Sequence, residues 1–285
     1  AGISNISGNN TVGLSAAGLV NITGDRTQGV IISGLTSIGG DNTSGLMISG
    51  FMNVTGNMAS GLHFSGAANI TGQSFGGLMA SGLLNVVGEH MNGLQMAGIA
   101  NITASKLNGV QIALCNYATQ ARGLQIGLVN YYKEDMKGFQ LGLVNANPDT
   151  RVQMMVYGGN ATPANIGVRF KNQLFYTILG IGSMYQGLND KFSASASYRA
   201  GLSFTLYKGL SISGDLGYQH IEAFDNKDEV IPKRLYALQA RANLEYQFTR
   251  KFGIFATGGY GLTRFYNKSS NYDKGAIIEA GIVLF

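Results

Sequence analysis

The stretch 45–60 reads GLMISGFMNVTGNMAS and is one full copy of a repeat that fills the first half of the chain. Neighbouring copies begin with a glycine at a constant spacing of 16 residues, at Gly13, Gly29, Gly45, Gly61, Gly77, Gly93 and Gly109. An asparagine holds one slot of most copies, with Ser37 as the exception, at Asn21, Asn53, Asn69, Asn85 and Asn101. Repeats this short are single β units that stack on their neighbours or pair with them.

Alternate residues of the copy at 45–60 belong to two different faces. One face carries Leu46, Ile48, Gly50, Met52 and Val54, and the other carries Met47, Ser49, Phe51, Asn53 and Thr55. Alternation over about 11 residues is long for a soluble strand and matches the 9–11 residues of a tilted membrane-spanning strand. The repeats are therefore expected to be strands of a membrane barrel.

The charges of residues 1–121 agree with that expectation, because all five lie in turns, at Asp25, Arg26, Asp41, Glu89 and Lys106. The alternative is a parallel β-solenoid, in which the Ser-Gly pair of each copy forms a corner and the asparagines stack into a ladder. The scarcity of aromatic residues before Tyr117 favours the solenoid. Against it, a solenoid would expose a ridge of apolar side chains, namely Leu19, Leu35, Phe51, Leu83 and Ile99.

The second half of the chain has a clearer pattern. In 235–248, apolar and aromatic residues alternate with polar ones, so that Tyr236 and Leu238 oppose Gln239 and Arg241. An apolar outer stripe opposite a polar interior is typical of a membrane barrel. The pattern predicts eight strands, at 152–158, 165–171, 174–185, 192–207, 210–222, 234–248, 252–266 and 276–285.

The expected fold is all-β, an antiparallel transmembrane β-barrel of about 18 strands if the repeats are barrel strands. The alternative is an N-terminal parallel β-solenoid followed by an eight-stranded barrel. Residues 1–151 form the repeat region in both versions, and residues 152–285 form the C-terminal barrel segment.

Composition excludes several classes of protein. The single Cys among 285 residues rules out an internal disulfide framework and a Cys-based zinc site. A net charge of +5 is too small to indicate nucleic-acid binding. No apolar run reaches the ~18 residues of a membrane helix, and no secretory signal opens the chain.

The segments GVQIALCN, GLQIGLVN and GFQLGLVN, at 109–116, 123–130 and 138–145, resemble the surface-repeat proteins of Gram-negative outer membranes. Phe285 ends an amphipathic strand and resembles the signal by which outer-membrane barrels are recognised for insertion. The resemblance implies residence in the bacterial outer membrane and no enzymatic activity. Expected partners are outer-membrane lipids or lipopolysaccharide, the barrel-assembly machinery and another outer-membrane protein docked on the repeats, but no nucleic acid.

Six charged residues share the interior parity of the C-terminal strands and are expected in the lumen, or as an ion network inside a small barrel: Arg169, Arg199, Asp215, Arg241, Glu245 and Glu279. No catalytic residue, cofactor or metal site is expected, since the three histidines share no ligand spacing. If the protein were nevertheless an enzyme, His220, which lies near Glu222 and Asp225, would be the one catalytic candidate. The acidic segment 225–229 is expected to be a solvated loop.

These features predict a non-enzymatic outer-membrane β-barrel protein, which could act as a weakly selective channel. The first alternative is a structural or accessory subunit of an outer-membrane complex. The second is a lipid-modifying enzyme that would use His220 at the outer rim.

Overall fold

The computed structural model of the chain describes residues 2–185, 188, 192–224, 234–266 and 271–284. Its regular elements are β-strands, and the chain divides into two compact units, Ala1–Pro148 and Asp149–Phe285. Among the described residues, no helix has the length and apolar character needed to cross a membrane. The predicted all-β class is confirmed.

The first unit is a parallel β-solenoid in which short and longer strands alternate along the chain. Its strands are β1 (Ser4–Ser7), β2 (Thr11–Ala17), β3 (Val20–Thr23), β4 (Arg26–Ser33), β5 (Thr36–Gly39), β6 (Asn42–Ser49), β7 (Met52–Thr55), β8 (Ala59–Ser65), β9 (Ala68–Thr71), β10 (Phe75–Ser81), β11 (Leu84–Val87), β12 (His90–Ala97), β13 (Ala100–Ile112), β14 (Cys115–Ile126), β15 (Val129–Leu141) and β16 (Val144–Ala146).

The register of these strands contradicts the expected 18-stranded barrel. From β1 to β13 each strand pairs in parallel with the strand one repeat away, so that Gly45 lies beside Gly61 and Asn53 beside Asn69. Up to β12 the short strands form one sheet and the longer strands the other, whereas β13, β14 and β15 each run 12–13 residues through both. The expectation that the repeats are barrel strands is therefore wrong, and the solenoid alternative is confirmed.

The Ser-Gly pair is the corner that breaks the long alternation. At each corner the backbone continues the stacking, with the Gly50 N–H donating to the Ser33 carbonyl at 3.2 Å and the Phe51 N–H to the Leu35 carbonyl at 2.8 Å. Before and after the corner the parity is as predicted, because Met47 and Asn53 are buried while Ile48 is exposed. The alternation predicts Phe51 on the same face as Asn53, but Phe51 lies on the turn and points outward.

The interior of the solenoid is polar near these corners because the asparagines bond along the stack. The Asn53 side-chain N–H₂ donates to Asn69 Oδ1 at 2.8 Å, and Asn69 donates in the same way to Asn85 at 2.9 Å. Each amide also donates to a backbone carbonyl next to the corner of the following coil, as Asn69 does to the Ala80 carbonyl at 2.8 Å. Asparagine fits this slot because its amide can both donate and accept.

The opposite end of the solenoid interior is apolar and encloses a histidine. Phe75, Met79, Met91 and Leu107 form a buried cluster there. His63 is 1% exposed and stacks edge-on against Phe75, with ring centroids 4.9 Å apart. The residues paired with His63 in the two adjacent coils are Met47 and Met79, so no charged side chain lies directly above or below the ring along the stack. Burial lowers the pKa of His63 from 6.5 to about 4.

We expect the solenoid to lose stability in acid because of His63. Between pH 6.5 and 4 the unfolded chain binds a proton that the folded chain does not, so the free energy of unfolding falls as pH falls through that window. The loss saturates below pH 4 at about 3 kcal/mol, since one pKa unit corresponds to about 1.4 kcal/mol. His63→Met introduces the residue that both adjacent coils carry at this position. In this variant the free energy of unfolding, measured by urea titration at pH 4 and pH 7, should lose the pH dependence that His63 causes. An unchanged difference between the two pH values would assign the acid sensitivity to other groups.

The second unit is a closed antiparallel barrel of eight strands, as the C-terminal pattern predicts. The strands are β17 (Arg151–Gly159), β18 (Ala164–Asn172), β19 (Phe175–Ser183), β20 (Ser193–Tyr207), β21 (Leu210–Ala223), β22 (Arg234–Thr249), β23 (Phe252–Phe265) and β24 (Asn271–Leu284).

Pairing of β17 with β24 closes the barrel, with Val156 beside Ile282. The predicted strand positions agree with the observed ones to within a few residues, except that β24 begins at Asn271 and not at residue 276. Two-residue connections, at 173–174, 208–209 and 250–251, lie at the end where β17 begins. The connections at the other end are longer, at 160–163, 184–192, 224–233 and 266–270.

Candidate functional site

The interior of the barrel holds all six charged side chains that the sequence pattern placed there. Each is at most 7% exposed, and together they make up an ion cluster of two groups, one with Arg169 and Glu245 and the other with Arg199, Asp215, Arg241 and Glu279. Three are cations and three are anions, so the cluster is neutral at pH 7. Charges buried this deeply are tolerated only when they are paired and hydrogen-bonded.

Arg169 and Glu245 form the first pair. Arg169 Nη1 donates to Glu245 Oε2 at 2.6 Å, and Nη2 donates to Oε1 at 3.0 Å, which is a bidentate arrangement. The remaining Nε–H donates to Gln153 Oε1 at 2.6 Å. The planar guanidinium suits this geometry because its N–H groups match the two oxygens of a carboxylate.

Arg199 and Asp215 form the second and most deeply buried pair. Arg199 Nε and Nη2 donate to the two carboxylate oxygens of Asp215, both at 2.8 Å. The same carboxylate accepts from the Tyr176 hydroxyl at 2.7 Å and from the Asn243 amide at 2.8 Å. Asp215 therefore accepts from four donors, and two of them, Arg199 Nε and the Tyr176 hydroxyl, would lose their acceptor with its carboxylate.

Glu279 joins the other two arginines of the cluster. Its Oε1 accepts from Arg241 Nη2 at 3.2 Å, and its Oε2 lies 3.6 Å from Arg199 Nη1. Glu279 lies on β24 at the position paired with Thr257 and Gly159, close to the strand that closes the barrel. The cluster consequently connects strands from both sides of the closure.

Apolar side chains and small polar ones, such as Ser213, Gln219 and Thr257, fill the rest of the interior around these ion pairs. One buried group includes Met155, Tyr157 and Phe255, and a second, towards the longer connections, includes Ile221 and Leu235. An eight-stranded barrel has an interior just wide enough to be filled by side chains. The arrangement is a packed core with a salt-bridged middle layer, and chemically it can stabilise the barrel without binding a solute.

Two members of the cluster were not singled out from the sequence. Asn243 lies between Arg241 and Glu245 on the interior parity, so the alternation assigns it to the interior but gives it no partner. Tyr176 is an aromatic residue on an inward position of β19, where the sequence carries no signal for a hydrogen bond to Asp215. Partners this far apart along the chain are fixed only by barrel closure.

His220, the catalytic candidate, lies on the outer surface of the barrel near the longer connections. Its Nδ1 is 2.7 Å from the Tyr266 hydroxyl, and its Nε2 is 3.3 Å from Glu222 Oε2. Among the described residues, the hydrogen-bond partners of His220 therefore include neither a serine nor a threonine hydroxyl. A nucleophilic mechanism needs such a group within hydrogen-bond reach of the base.

The other sequence-based site predictions concern metals and the C-terminus. Among the described residues no group of three His, Cys, Asp or Glu side chains could hold a metal ion. Asp225, the acidic segment 225–229 and the terminal Phe285 lie outside the described residues.

The solenoid exposes the apolar ridge that the sequence anticipated. One outward residue per coil lies just after each corner, and most of these are apolar and 37–55% exposed: Leu19, Leu35, Phe51, Leu83, Ile99, Leu114, Leu128 and Leu143. Exposed apolar residues also lie just before the corner, at one register position of the longer strands, including Ile48, Met96 and Leu141. Contiguous apolar surface of this kind marks interaction sites on proteins.

Comparisons with known proteins add little. No family model matches the chain, and no curated protein matches it either. Among solved structures, the crystal structure of the N-terminal β-barrel domain of Pseudomonas aeruginosa OprF is similar to part of the chain, at 17% identity and a TM-score of 0.34. The match covers 47% of this chain and 93% of that one. A TM-score this low carries no weight for the fold or the function.

Proposed function

We propose that the chain is a non-enzymatic protein of the bacterial outer membrane. In this proposal the barrel is a closed membrane anchor that does not conduct, and the solenoid is a docking surface for another membrane protein. The protein would thus act as an accessory subunit, and the outer-membrane location is the one that the resemblance of the GLQIGLVN segments to Gram-negative repeat proteins implies. The observation that carries the proposal is a closed barrel with a filled, charge-balanced interior and an apolar exterior.

The outer surface of the barrel supports insertion in lipid. Large apolar side chains point outward on all its strands, among them Ile166, Ile181, Leu216, Leu244 and Ile278, which are 51–71% exposed. The inward positions of the same strands hold the ion pairs. This distribution is the reverse of a water-soluble barrel, which would bury its apolar residues and expose its charges.

The filled interior favours an anchor over a channel. Arg199, Tyr176 and Ile178 are each 1% exposed and occupy the middle of the barrel. Porins, which conduct, have 16–18 strands and an aqueous lumen. In planar bilayers we therefore expect no stable conducting steps from the purified chain. Reproducible single-channel openings would contradict the anchor and favour the channel.

The apolar ridge supports the accessory role. We expect the protein, gently extracted in detergent, to have a mass above that of the 30.1 kDa monomer because a partner remains bound. The double variant Leu83→Gln/Ile99→Gln should release that partner, whereas Gln73→Ala in a polar turn should not. A clean monomer from the native membrane would argue against docking.

Strand direction predicts the side of the membrane that holds the residues before β17. Outer-membrane barrels keep short turns on the periplasmic side and longer loops outside. Since β17 begins at the short-turn end, we propose that the preceding chain is periplasmic. Cys115 is the one cysteine and is exposed, so it is a natural probe.

A membrane-impermeant maleimide should label Cys115 only after the outer membrane is permeabilised. In a Cys115→Ser background, Asn160→Cys at a longer connection should react in intact cells, while Lys208→Cys at a short turn should not. Equal labelling of Cys115 in intact cells would place the repeats outside. Folding of the purified chain in buffer without any amphiphile would reject the membrane anchor altogether.

A further inference from the structure

The barrel has a polar recess at the end where β17 begins, separate from the packed layer of ion pairs. The recess encloses about 330 Å³, which is at the lower end of the about 300–1,000 Å³ range of ligand pockets. Its polar lining comes from five strands and from the chain just before β17, at Asp149, Arg151, Lys171, Thr205, Ser211 and Gln247. Residues from strands that are not neighbours thus converge at this mouth of the barrel.

The recess is closed on its inner side by the first ion pair of the interior. Side chains that point inward lie two residues apart along a strand, so the next inward residues beyond Arg151 and Lys171 are Gln153 and Arg169. Both are buried, and Arg169 is bonded to Gln153 as well as to Glu245. A ligand can therefore enter the recess from the rim without passing through the barrel.

Two cations of the recess are available to a ligand, because neither Arg151 nor Lys171 forms an ion pair with a described carboxylate. Lys171 Nζ donates to Ser203 Oγ at 2.9 Å, and an ammonium group has three donors, so two of them remain. Asp149 is the one carboxylate that lines the recess among the described residues. The two cations and this carboxylate together give the recess a net charge of +1.

The rim around the recess is basic as well. Its short turns add three exposed cations, Lys208, Arg250 and Lys251. Glu245 is neutralised by Arg169, so Asp149 is the only other carboxylate among the described residues of this end of the barrel. Five cations and one carboxylate leave a net charge of +4 there. A field of this sign attracts anions to the recess and repels cations.

A buried hydroxyl also lines the recess and lacks a partner. Ser211 is 8% exposed and lies at an inward position of β21. Among the described residues its hydroxyl makes no hydrogen bond. Since buried polar groups are normally hydrogen-bonded, a ligand oxygen in the recess would supply the acceptor that this group lacks.

We propose that the recess binds a phosphate group, which accepts charge-assisted hydrogen bonds from Arg151 and Lys171 and a further one from the Ser211 hydroxyl. A phosphate suits this lining because its oxygens accept from several directions and a guanidinium matches two of them at once. Free phosphate and the headgroup phosphate of a phospholipid present the same oxygens, so the shared chemistry defines the site. The inference goes beyond the membrane anchor and does not depend on it.

The test uses the full chain folded in an uncharged, phosphate-free detergent, with inorganic phosphate titrated in chloride at constant ionic strength. Isothermal titration calorimetry measures the dissociation constant. One charge-assisted hydrogen bond is worth at least about tenfold in affinity, and a neutral one about threefold. Arg151→Gln/Lys171→Gln should therefore weaken phosphate binding by at least about tenfold, and Ser211→Ala by about threefold.

The matched control is Arg250→Gln/Lys251→Gln, which removes two cations from the same rim but none from the lining of the recess. Charges that act across water are screened by salt, so this variant should change the affinity by less than about threefold.

Two results would overturn the phosphate site. The first is the absence of saturable binding to the folded wild-type barrel, and the second is an equal loss in the two double variants, which would indicate attraction to the basic rim only. If Arg151→Gln/Lys171→Gln does not fold, Ser211→Ala decides, and an unchanged affinity in that variant rejects the site.

A competition experiment identifies the source of the phosphate. Short-chain phosphatidylglycerol that displaces phosphate at a lower concentration than glycerol phosphate does would assign the site to a lipid headgroup, and the reverse order would assign it to a soluble phosphate. A chain that binds phosphate in detergent but does not insert into vesicles would refute the membrane anchor and leave the phosphate site in place.

Discussion

Asp215→Leu is expected to lower the free energy of unfolding of the barrel by about 3–5 kcal/mol, the usual cost of removing one partner from a buried ion pair. The variant leaves Arg199, which is 1% exposed, without its bidentate acceptor. It also removes the acceptor of the Tyr176 hydroxyl and one acceptor of the Asn243 amide, which keeps Ser213 Oγ. Urea titration of the detergent-solubilised chain, followed by the gel mobility of folded and unfolded barrel, measures the change.

The double variant Arg199→Met/Asp215→Leu should recover much of the loss, because two apolar side chains replace the pair and no lone charge remains. Glu222→Gln is the matched control, since it breaks an ion pair with Arg234 on the exposed outer rim. Exposed pairs contribute about 0–1 kcal/mol. If Asp215→Leu cost no more than this control, the interior would have to be hydrated, and the packed anchor would lose its support.

Gly77→Ala should destabilise the solenoid by about 3–5 kcal/mol, the sum of backbone strain and steric overlap. Gly77 has φ +129°, a conformation that side chains other than glycine rarely adopt. A methyl group there would lie 2.2 Å from the Gly61 carbonyl oxygen of the adjacent coil, and a backbone oxygen held in a parallel sheet cannot move aside.

Gly76→Ala is the control for this experiment, one residue away in the same strand. A methyl group at Gly76 meets no atom within 4 Å. Its effect on stability should stay within about 1 kcal/mol and favour the folded state, because alanine reduces the freedom of the unfolded chain. Circular dichroism during urea unfolding compares the two variants. Similar losses for both would show that the stacking at Gly77 is not as tight as the structure has it.

The C-terminal barrel was largely predictable because an apolar exterior and a filled, ion-paired interior impose opposite requirements on alternate residues. The parity of 235–248 assigned Arg241 and Glu245 inward and Tyr236 and Leu238 outward, and the structure has the same orientation. The alternation does not indicate which of the inward charged residues form ion pairs with one another. Arg169 pairs with Glu245, 76 residues along the chain, and neither residue carries information about the other.

The repeat region shows a limit of the same reasoning. Period-two alternation in 45–60 indicates that the strand has one apolar and one polar face. It does not indicate whether water, lipid or another part of the protein contacts each face. In a membrane barrel a polar face would line an aqueous lumen, whereas in the structure Asn53 and Asn69 are buried and bonded to one another. The stacked amides replace water as partners, so a strand with a polar inner face is stable away from any lumen.

The sequence by itself determined the all-β class, the repeat spacing of 16 residues and the inward position of the six charged residues. It also determined the division of the chain into a repeat region and a C-terminal segment of alternating apolar and polar residues. Tertiary structure alone decided that the repeats pair in parallel around a Ser-Gly corner, which ion pairs form, and that inward residues of several strands combine into a polar recess. The reason is physical. Local alternation depends on the direction of adjacent side chains, which the backbone fixes, whereas partners and cavities depend on contacts between strands far apart in the chain.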